Sequence, residues 1–480
     1  MFVRLNLCLR LILVGLCFAA TPATPATAEP IALAHVTVID PANSTPSQPD
    51  QTVLIVDGRI ASVSATSLPA DARVIDARGK FLIPGLCDMH VHLAGVTADP
   101  KWSKATLLPL LIANGVTTVR DMGGDLEALK GWRKEIEAGQ LIGPRIYCAG
   151  PMLDGGKSEP PALRAIASPN DGRAAVRDLK TRGADFIKVL SRLDRESYFA
   201  IADETKKQKM TLVGHVPNSI RAIDASNAGQ KSIEHIFYSN LTFDCSSKEK
   251  ELRQKSTEAR AKGDSAGAAG ARDEANASFS QEKAEALWKT LVHNKTWVVP
   301  TLVAIRTIGQ QRDLARTNPP ELAYLPPALR RSWSPDDVEK ELSPEVARWY
   351  QAQFQTDLKL ARSMHDAGVQ MMAGSDSLDP LNFPGPSLHE ELHLLTEAGL
   401  SSLQALQAAT SKPAEFLNAK DWGTIRPGAI ADLVLLEADP LAEIANTKRI
   451  AAVIVKGKYL AREDLDRILE QARTAAGETR

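Results

Sequence analysis

The sequence predicts an α/β chain organised as a (β/α)8 TIM barrel. Two observations carry this. Eight short apolar segments alternate with helix-like stretches at the spacing of a parallel sheet. The side chains that stand out as candidate metal ligands also fall at or near the ends of these segments. In a barrel of parallel strands, that end is where active sites sit. The length, 480 residues, suits a barrel with an appended domain. A formal net charge of −1 offers no basic excess for nucleic acid.

Residues 1–28 read as a signal peptide. Arg4 and Arg10 precede the apolar run Leu11 to Ala20, and Ala26-Thr27-Ala28 fits a small-residue cleavage site before Glu29. The run is too short to span a bilayer. The expectation is an exported chain, periplasmic or secreted, with no stable membrane insertion once mature. A lipoprotein site at Cys17, which follows Leu16, and an uncleaved anchor are lesser alternatives.

Residues 29–84 carry short strands. Ala32 to Ile39, Thr52 to Val63 with the hairpin signal Asp57-Gly58, and Arg73 to Ala77 have this character. Lys80 to Ile83 leads into the first barrel strand. There His90 and His92, one residue apart on a strand, point to the same side and can reach one metal ion. The next barrel segments are Val116–Arg120, Arg145–Ala149 and Phe186–Leu190 with Lys188 inside. Thr211–His215, Lys231–His235, Trp297–Thr301 and Gln370–Gly374 follow, the last just before Asp376.

The barrel spans residues 85–420, with insertions at about 239–295 and 302–350. Both insertions follow strands carrying or flanking candidate ligands. Their Ala, Glu, Lys and Arg content favours helices, and they are expected to cap the mouth. Residues 421–460 again read as strands, with a turn at Lys456-Gly457, and 461–480 as a surface helix. Cys87, Cys148 and Cys245 lie outside the signal segment. Cys87 reads as a small buried apolar side chain. A Cys148–Cys245 disulfide stays open.

The ordered set His90-x-His92, Lys188, His215, His235, Asp376 resembles the amidohydrolase superfamily. Within it, the chain is most similar to the imidazolonepropionase-related, prolidase-like branch. Gly115 to Asp121, Ala409 to Ala414 and Gly423 to Val434 carry the likeness further, over roughly residues 31 to 460. The resemblance implies that strands from both ends of the chain combine into one small β-sandwich. It also implies two divalent ions, zinc by the donor set. His90, His92 and Asp376 would hold the first ion, His215 and His235 the second, and an N-carboxylated Lys188 both. A hydroxide between the ions would attack, with Asp376 as the catalytic acid and base.

The implied activity is hydrolysis of an amide-type C–N bond in a small peptide-like or N-acyl compound, as in dipeptidases and carboxypeptidases. A metal-dependent esterase or lactonase is the alternative, and a non-catalytic metal- or ligand-binding protein the one of another class. The partner would be a small-molecule substrate; a homo-oligomer stays open. Dipeptide-cleaving relatives often place a histidine or arginine after the third strand to hold the substrate carboxylate. Gly150 to Lys157 has no histidine, with only Lys157 to offer. Tyr238 and Arg120 are the expected substrate contacts at the mouth, with a structural pairing of Arg120 to Asp121 or Asp88 equally open. His389, Glu390 and His393 match the letters of a His-Glu-x-x-His motif, which the barrel constellation makes redundant. His35, His293 and His365 read as ordinary structural or surface residues.

Overall fold

A computed structural model describes residues 29–64, 72–95 and 99–478; the expected signal segment lies outside them. Strands from both ends of the chain share one eight-stranded sheet. From the N-terminal side come Ile31–Ile39, Ser47–Val56, Arg59–Ser64, Arg73–Asp76 and Phe81–Pro84; from the C-terminal side, Leu433–Leu436, Ile450–Val455 and Lys458–Ala461. The seam is the antiparallel pairing of Phe81–Pro84 with Leu433–Leu436. Phe81–Pro84 is therefore a strand of this sheet as well as the approach to the barrel.

The expected sandwich is a single hydrogen-bonded sheet that curls on itself. Two hairpin tips near its opposite edges touch, so that a Cβ on Gly457 would lie 2.5 Å from Gly58 Cα. Both glycines hold positive φ, +75° and +79°, which the tight turns require. Leu33, Val53, Ile55, Ile60, Leu82, Leu433 and Ile454 fill the enclosed core.

The rest of the chain is α/β with parallel strands. Leu86–Val91, Val116–Asp121 and Arg145–Cys148 form one sheet. A second runs in the order Leu163–Ala165, Met152–Asp154, Ile187–Val189, Leu212–Gly214, Ser232–Glu234, Trp297–Val299. Asp185 N–H donates to Cys148 O at 2.9 Å between them. The eighth expected strand, Gln370–Gly374, is bridged instead of laddered. It meets Trp297–Val299 at Val298↔Met371, and the chain just beyond it meets the first strand at Val91↔Ser377. Side-chain bonds supplement these bridges. Asp88 accepts from Ser375 N–H at 2.9 Å and from its hydroxyl at 2.6 Å.

Amphipathic helices cover the parallel strands. Ser168 caps Pro169–Arg182 and Asp194 caps Arg195–Lys207, each accepting a backbone N–H of the first turn. Residues 241–294 form Leu241–Asp244, Glu249–Ala261, Ser265–Ala277 and Gln281–Asn294. Residues 302–366 form Leu302–Arg316, Pro320–Tyr324, Pro327–Ser332, Pro335–Glu341 and the long Pro344–Asp366. The terminal helix Arg462–Glu478 buries Leu465, Ile468, Ala472 and Ala476, so only its other face is a surface. No helix among the described residues is long and apolar enough to cross a membrane.

Candidate metal centre

His90 lies on the first parallel strand and His92 just past it; Lys188 is central in Ile187–Val189. His215 and His235 each sit one residue beyond a strand. At three neighbouring chain ends a non-glycine residue turns left-handed: His235 at φ +62°, Thr301 at +48° and Asp376 at +54°. That conformation is costly, above all for β-branched Thr301, and such strain gathers at functional sites.

These turns bring ligand atoms together. Asp376 Oδ1 is 3.3 Å from His90 Nε2 and 3.5 Å from His92 Nε2. Its Oδ2 is 3.7 Å from His235 Nδ1. His90, His235 and Asp376 each offer an atom within 4.8 Å of the others'. The His215 ring lies 4.9 Å from that of His235, and the His92 ring 5.4 Å from that of His90. Lys188 is buried in the same interior, and its charge pushes against His90 and His215. The tight group thus holds three of the six expected ligands. His92, His215 and Lys188 border it.

The hydrogen bonds set the imidazole tautomers. His90 Nδ1 meets the Glu234 carboxylate at 3.1 Å, and His92 Nδ1 the Gly123 carbonyl at 3.0 Å. These partners accept, so each Nδ1 carries a proton, and the neutral ring holds a lone pair on Nε2; burial lowers His92, yet Asp376 and Asp121 hold it above the ordinary histidine value. The Thr301 hydroxyl donates to Pro300 O at 2.8 Å and so accepts from His235 Nδ1 at 2.6 Å. His215 Nδ1 pairs with Ser191 Oγ at 2.7 Å. His90 Nε2 is buried with no hydrogen-bond partner among the described residues. An orphaned lone pair facing a carboxylate and further imidazoles fits a divalent metal ion.

The electrostatics agree. Burial, with the Lys188 charge, pushes His90 and His215 well below the ordinary histidine value. Burial takes His235 down to about 3. These imidazoles are neutral at neutral pH, the form that binds metals. Burial brings Lys188 down to about 8, against the pull of Glu234 and Asp376. Burial raises Asp376, yet His235, His92 and Lys188 hold it below the usual carboxylate value.

Tyr238 sits at the rim, its ring stacked on His215 at 5.8 Å and edge-on to His235 at 5.2 Å. Arg120 does not reach the mouth. It is wholly buried beneath the histidines, with Nη2 2.8 Å from both Glu234 oxygens and Nε donating to Met89 O at 2.7 Å. An arginine inside a strand cannot leave a buried carboxylate to meet substrate without exposing an unpaired charge. Glu234, Ser191 and Thr301 were missed by the sequence reading. The signal for Glu234 was there, since an acid and an arginine each stood alone in an apolar strand.

The His-Glu-x-x-His letters make no site. His389 spends both nitrogens on Thr447 Oγ1 at 2.9 Å and Asn114 O at 3.0 Å. Glu390 pairs with Arg306 and Lys448, and His393 with Glu397. Cys87, Cys148 and Cys245 are buried free thiols, so Cys148 and Cys245 do not pair. Lys157 is exposed, and Arg192 nearby is held by Asp154 at 2.7 Å.

Residues 81–244 and 283–460 match the model of the amidohydrolase family. Among curated proteins, the chain is similar to the ochratoxinase of Aspergillus niger, at 23% identity over 424 residues, 76% of this chain and 72% of that one. Dihydroorotases also match, that of Anaeromyxobacter dehalogenans at 41% identity over 83 residues, 17% of this chain; the match spans only 19% of that enzyme's length. Among solved structures, a bottromycin amidohydrolase superposes with a TM-score of 0.69 at 24% identity, covering 95% of this chain and 92% of that one. A Xaa-Pro dipeptidase superposes at 0.65 and 20% identity, covering 90% of this chain and 100% of the other. These likenesses imply a TIM barrel with an additional domain.

Proposed function

We propose that this chain, which belongs to the amidohydrolase family, is a binuclear metal-dependent hydrolase. It cleaves an amide-type C–N bond in a small peptide-like or N-acyl compound. The observation that carries this reading is the orphaned Nε2 of His90, facing Asp376 in a group that also includes His235. The two parallel sheets and the bridged segment 370–377 are read as one closed barrel around this point.

His90, His92 and Asp376 would hold one ion, His215 and His235 the other, and carboxylated Lys188 both. When bound, such ions acidify water and polarise a carbonyl. Lys188 suits carboxylation because burial lowers its amine towards neutrality. The free amine attacks carbon dioxide and releases one proton, leaving a carbamate. Asp376, ionised at neutral pH, accepts the proton of the attacking water and delivers it to the leaving nitrogen. The Tyr238 phenol, held neutral by burial, donates to the oxygen of the scissile carbonyl as charge develops there. The products are a carboxylic acid and an amine. The helical insertions narrow access to small substrates, and the N-terminal segment exports the enzyme.

The ligand chemistry favours zinc, and the prolidase-like branch favours peptide-like amides over esters. The test is metal analysis of the purified full chain, together with a panel of dipeptides, N-acyl amino acids and lactones. About two zinc-like ions per chain are expected, with activity lost to a chelator and restored by zinc. Full activity without metal, or with one ion, defeats the binuclear reading. Turnover of lactones alone would replace the amidase with an esterase.

A further inference from the structure

Beneath the ligands lies a set of buried charges that the reaction does not use. Glu234 and Arg120 are both wholly buried. Arg120 Nη2 is 2.8 Å from each Glu234 oxygen, and its Nη1 is 3.2 Å from Ser232 Oγ. Ser232 in turn donates to Glu234 Oε1 at 2.5 Å. The rings of Phe416 and Phe186 flank the guanidinium, at 5.3 and 5.7 Å. Arg120 also ties itself to the His90 strand through Met89 O. The Glu234 carboxylate is thus held on several sides, with Oε2 presented to His90 Nδ1.

Of the four clustered imidazoles, three find neutral partners for Nδ1: the Gly123 carbonyl, the Ser191 hydroxyl and the Thr301 hydroxyl. His90 alone has a charged group within hydrogen-bond distance of Nδ1, since Asp376 comes no closer than 3.7 Å to His235 Nδ1. A carboxylate can only accept, so it excludes the tautomer with the proton on Nε2. It also makes the opposite nitrogen a stronger donor. A buried ion pair is a poor source of stability, and two apolar side chains would fill the space at less cost. They would leave the His90 tautomer unset.

We propose that Glu234 is a positioning residue for the metal centre. Arg120 and Ser232 hold its carboxylate in place, and it commits His90 to present Nε2 to the metal. The role rests on the metal-dependent reading above. Glu234→Gln is the diagnostic variant because it keeps size and can invert the chemistry. A side-chain amide can donate to Nδ1, which moves the imidazole proton to Nε2 and closes the ligand atom.

The test uses the full chain with 15N-labelled histidine, before and after zinc addition. Long-range 1H–15N correlation reads the tautomer, and His90→Gln assigns the signal. Wild type should carry the His90 proton on Nδ1 throughout. Glu234→Gln should shift it towards Nε2 and weaken zinc binding about 10–100-fold, measured against a chromophoric chelator. A purely structural role would lower the melting temperature of the metal-free chain and leave tautomer and affinity alone. That result overturns the proposal, as does a wild-type His90 protonated on Nε2. Should Glu234→Gln fail to fold, the double variant Arg120→Met/Glu234→Gln removes both charges and should show the same affinity loss; wild-type affinity there overturns the role. Wild type that takes up no zinc overturns the metal-dependent reading itself. Zinc uptake that Glu234→Gln leaves unchanged overturns only the role of Glu234.

Discussion

Arg272, on a helix of the first insertion, holds Asn240 in the loop beyond His235, with Nη2 2.6 Å from the Asn240 amide oxygen. Its other arm donates to Phe237 O at 2.9 Å, and its plane lies 4.1 Å over the Phe237 ring. Asn240, left-handed at φ +54°, passes the contact on, donating to Asn218 Oδ1 at 2.8 Å. Asn218 N–H donates to Ser191 O, and Ser191 Oγ meets His215 Nδ1. The insertion is therefore wired to the turn that carries Tyr238 and, through it, to a candidate ligand.

Arg272→Met should cost about 3 kcal/mol of stability in chemical denaturation. It deletes two charge-assisted bonds and leaves Asp357, raised by burial to about 7, without its nearest offsetting cation. It should also loosen Tyr238. If the arginine only fills space, Met restores the packing and the loss shrinks to a few tenths of a kcal/mol.

The strand-and-ligand pattern was legible because it is local. His-x-His needs only strand alternation, and His215, His235 and Asp376 each announce themselves at the end of an apolar run. What escaped depends on partners far apart in sequence. Glu234 and Arg120 are separated by 114 positions, and neither reads as buried until the other is placed beside it. Arg120 was expected at the mouth because it ends the Val116–Arg120 run, yet its side chain points into the interior. The eighth strand was expected from composition, but it makes only isolated bridges, which Ser375 and Asp88 supplement with side-chain bonds that no periodicity encodes. The curl of the terminal sheet likewise depends on Gly58 meeting Gly457, a contact between opposite ends of the chain.

Lys188 should carry carbon dioxide. With 13C-labelled bicarbonate, the wild type should show a carbamate resonance by 13C NMR, and Lys188→Ala should not. The variant should keep about one ion where wild type holds two, and bicarbonate should partly restore its activity if a small carboxylate can replace the carbamate. Two ions in Lys188→Ala would remove the lysine from the centre.

Glu391 gives a pH signature away from the candidate metal centre. It is wholly buried, with Oε2 accepting from Val303 N–H at 2.8 Å and Oε1 unpartnered among the described residues. Burial raises its carboxyl from the ordinary 4.5 to about 8. Between those values the folded chain holds the proton more tightly than the unfolded chain, so this group makes stability fall as pH rises. Glu391→Gln lacks the effect. Its melting temperature relative to wild type should climb from about pH 5 to about pH 8, the window the two values define. A constant difference across that window would show that the carboxyl titrates normally.

Asp273 is one of the points at which the two insertions meet, beside Asn276 Nδ2, which donates to Gln353 Oε1 at 3.1 Å. Asp273 accepts from Trp349 Nε1 at 2.9 Å and from Gln353 Nε2 at 3.1 Å, joining the first insertion to the long helix that closes the second. Trp349 packs edge-on and Tyr350 tilted against Phe237, beside Tyr238. A cap of the proposed kind would restrict substrates by holding its two halves together, and hydrogen bonds to one exposed acid contribute only about 1–2 kcal/mol each. Asp273→Ala should therefore fold and keep its metal while the cap opens more often. Larger N-acyl amino acids should become better substrates, with KM changing more than kcat, and the sedimentation coefficient should stay that of wild type. If these helices form a subunit contact instead, the same variant should change its assembly state and leave the substrate range as it was.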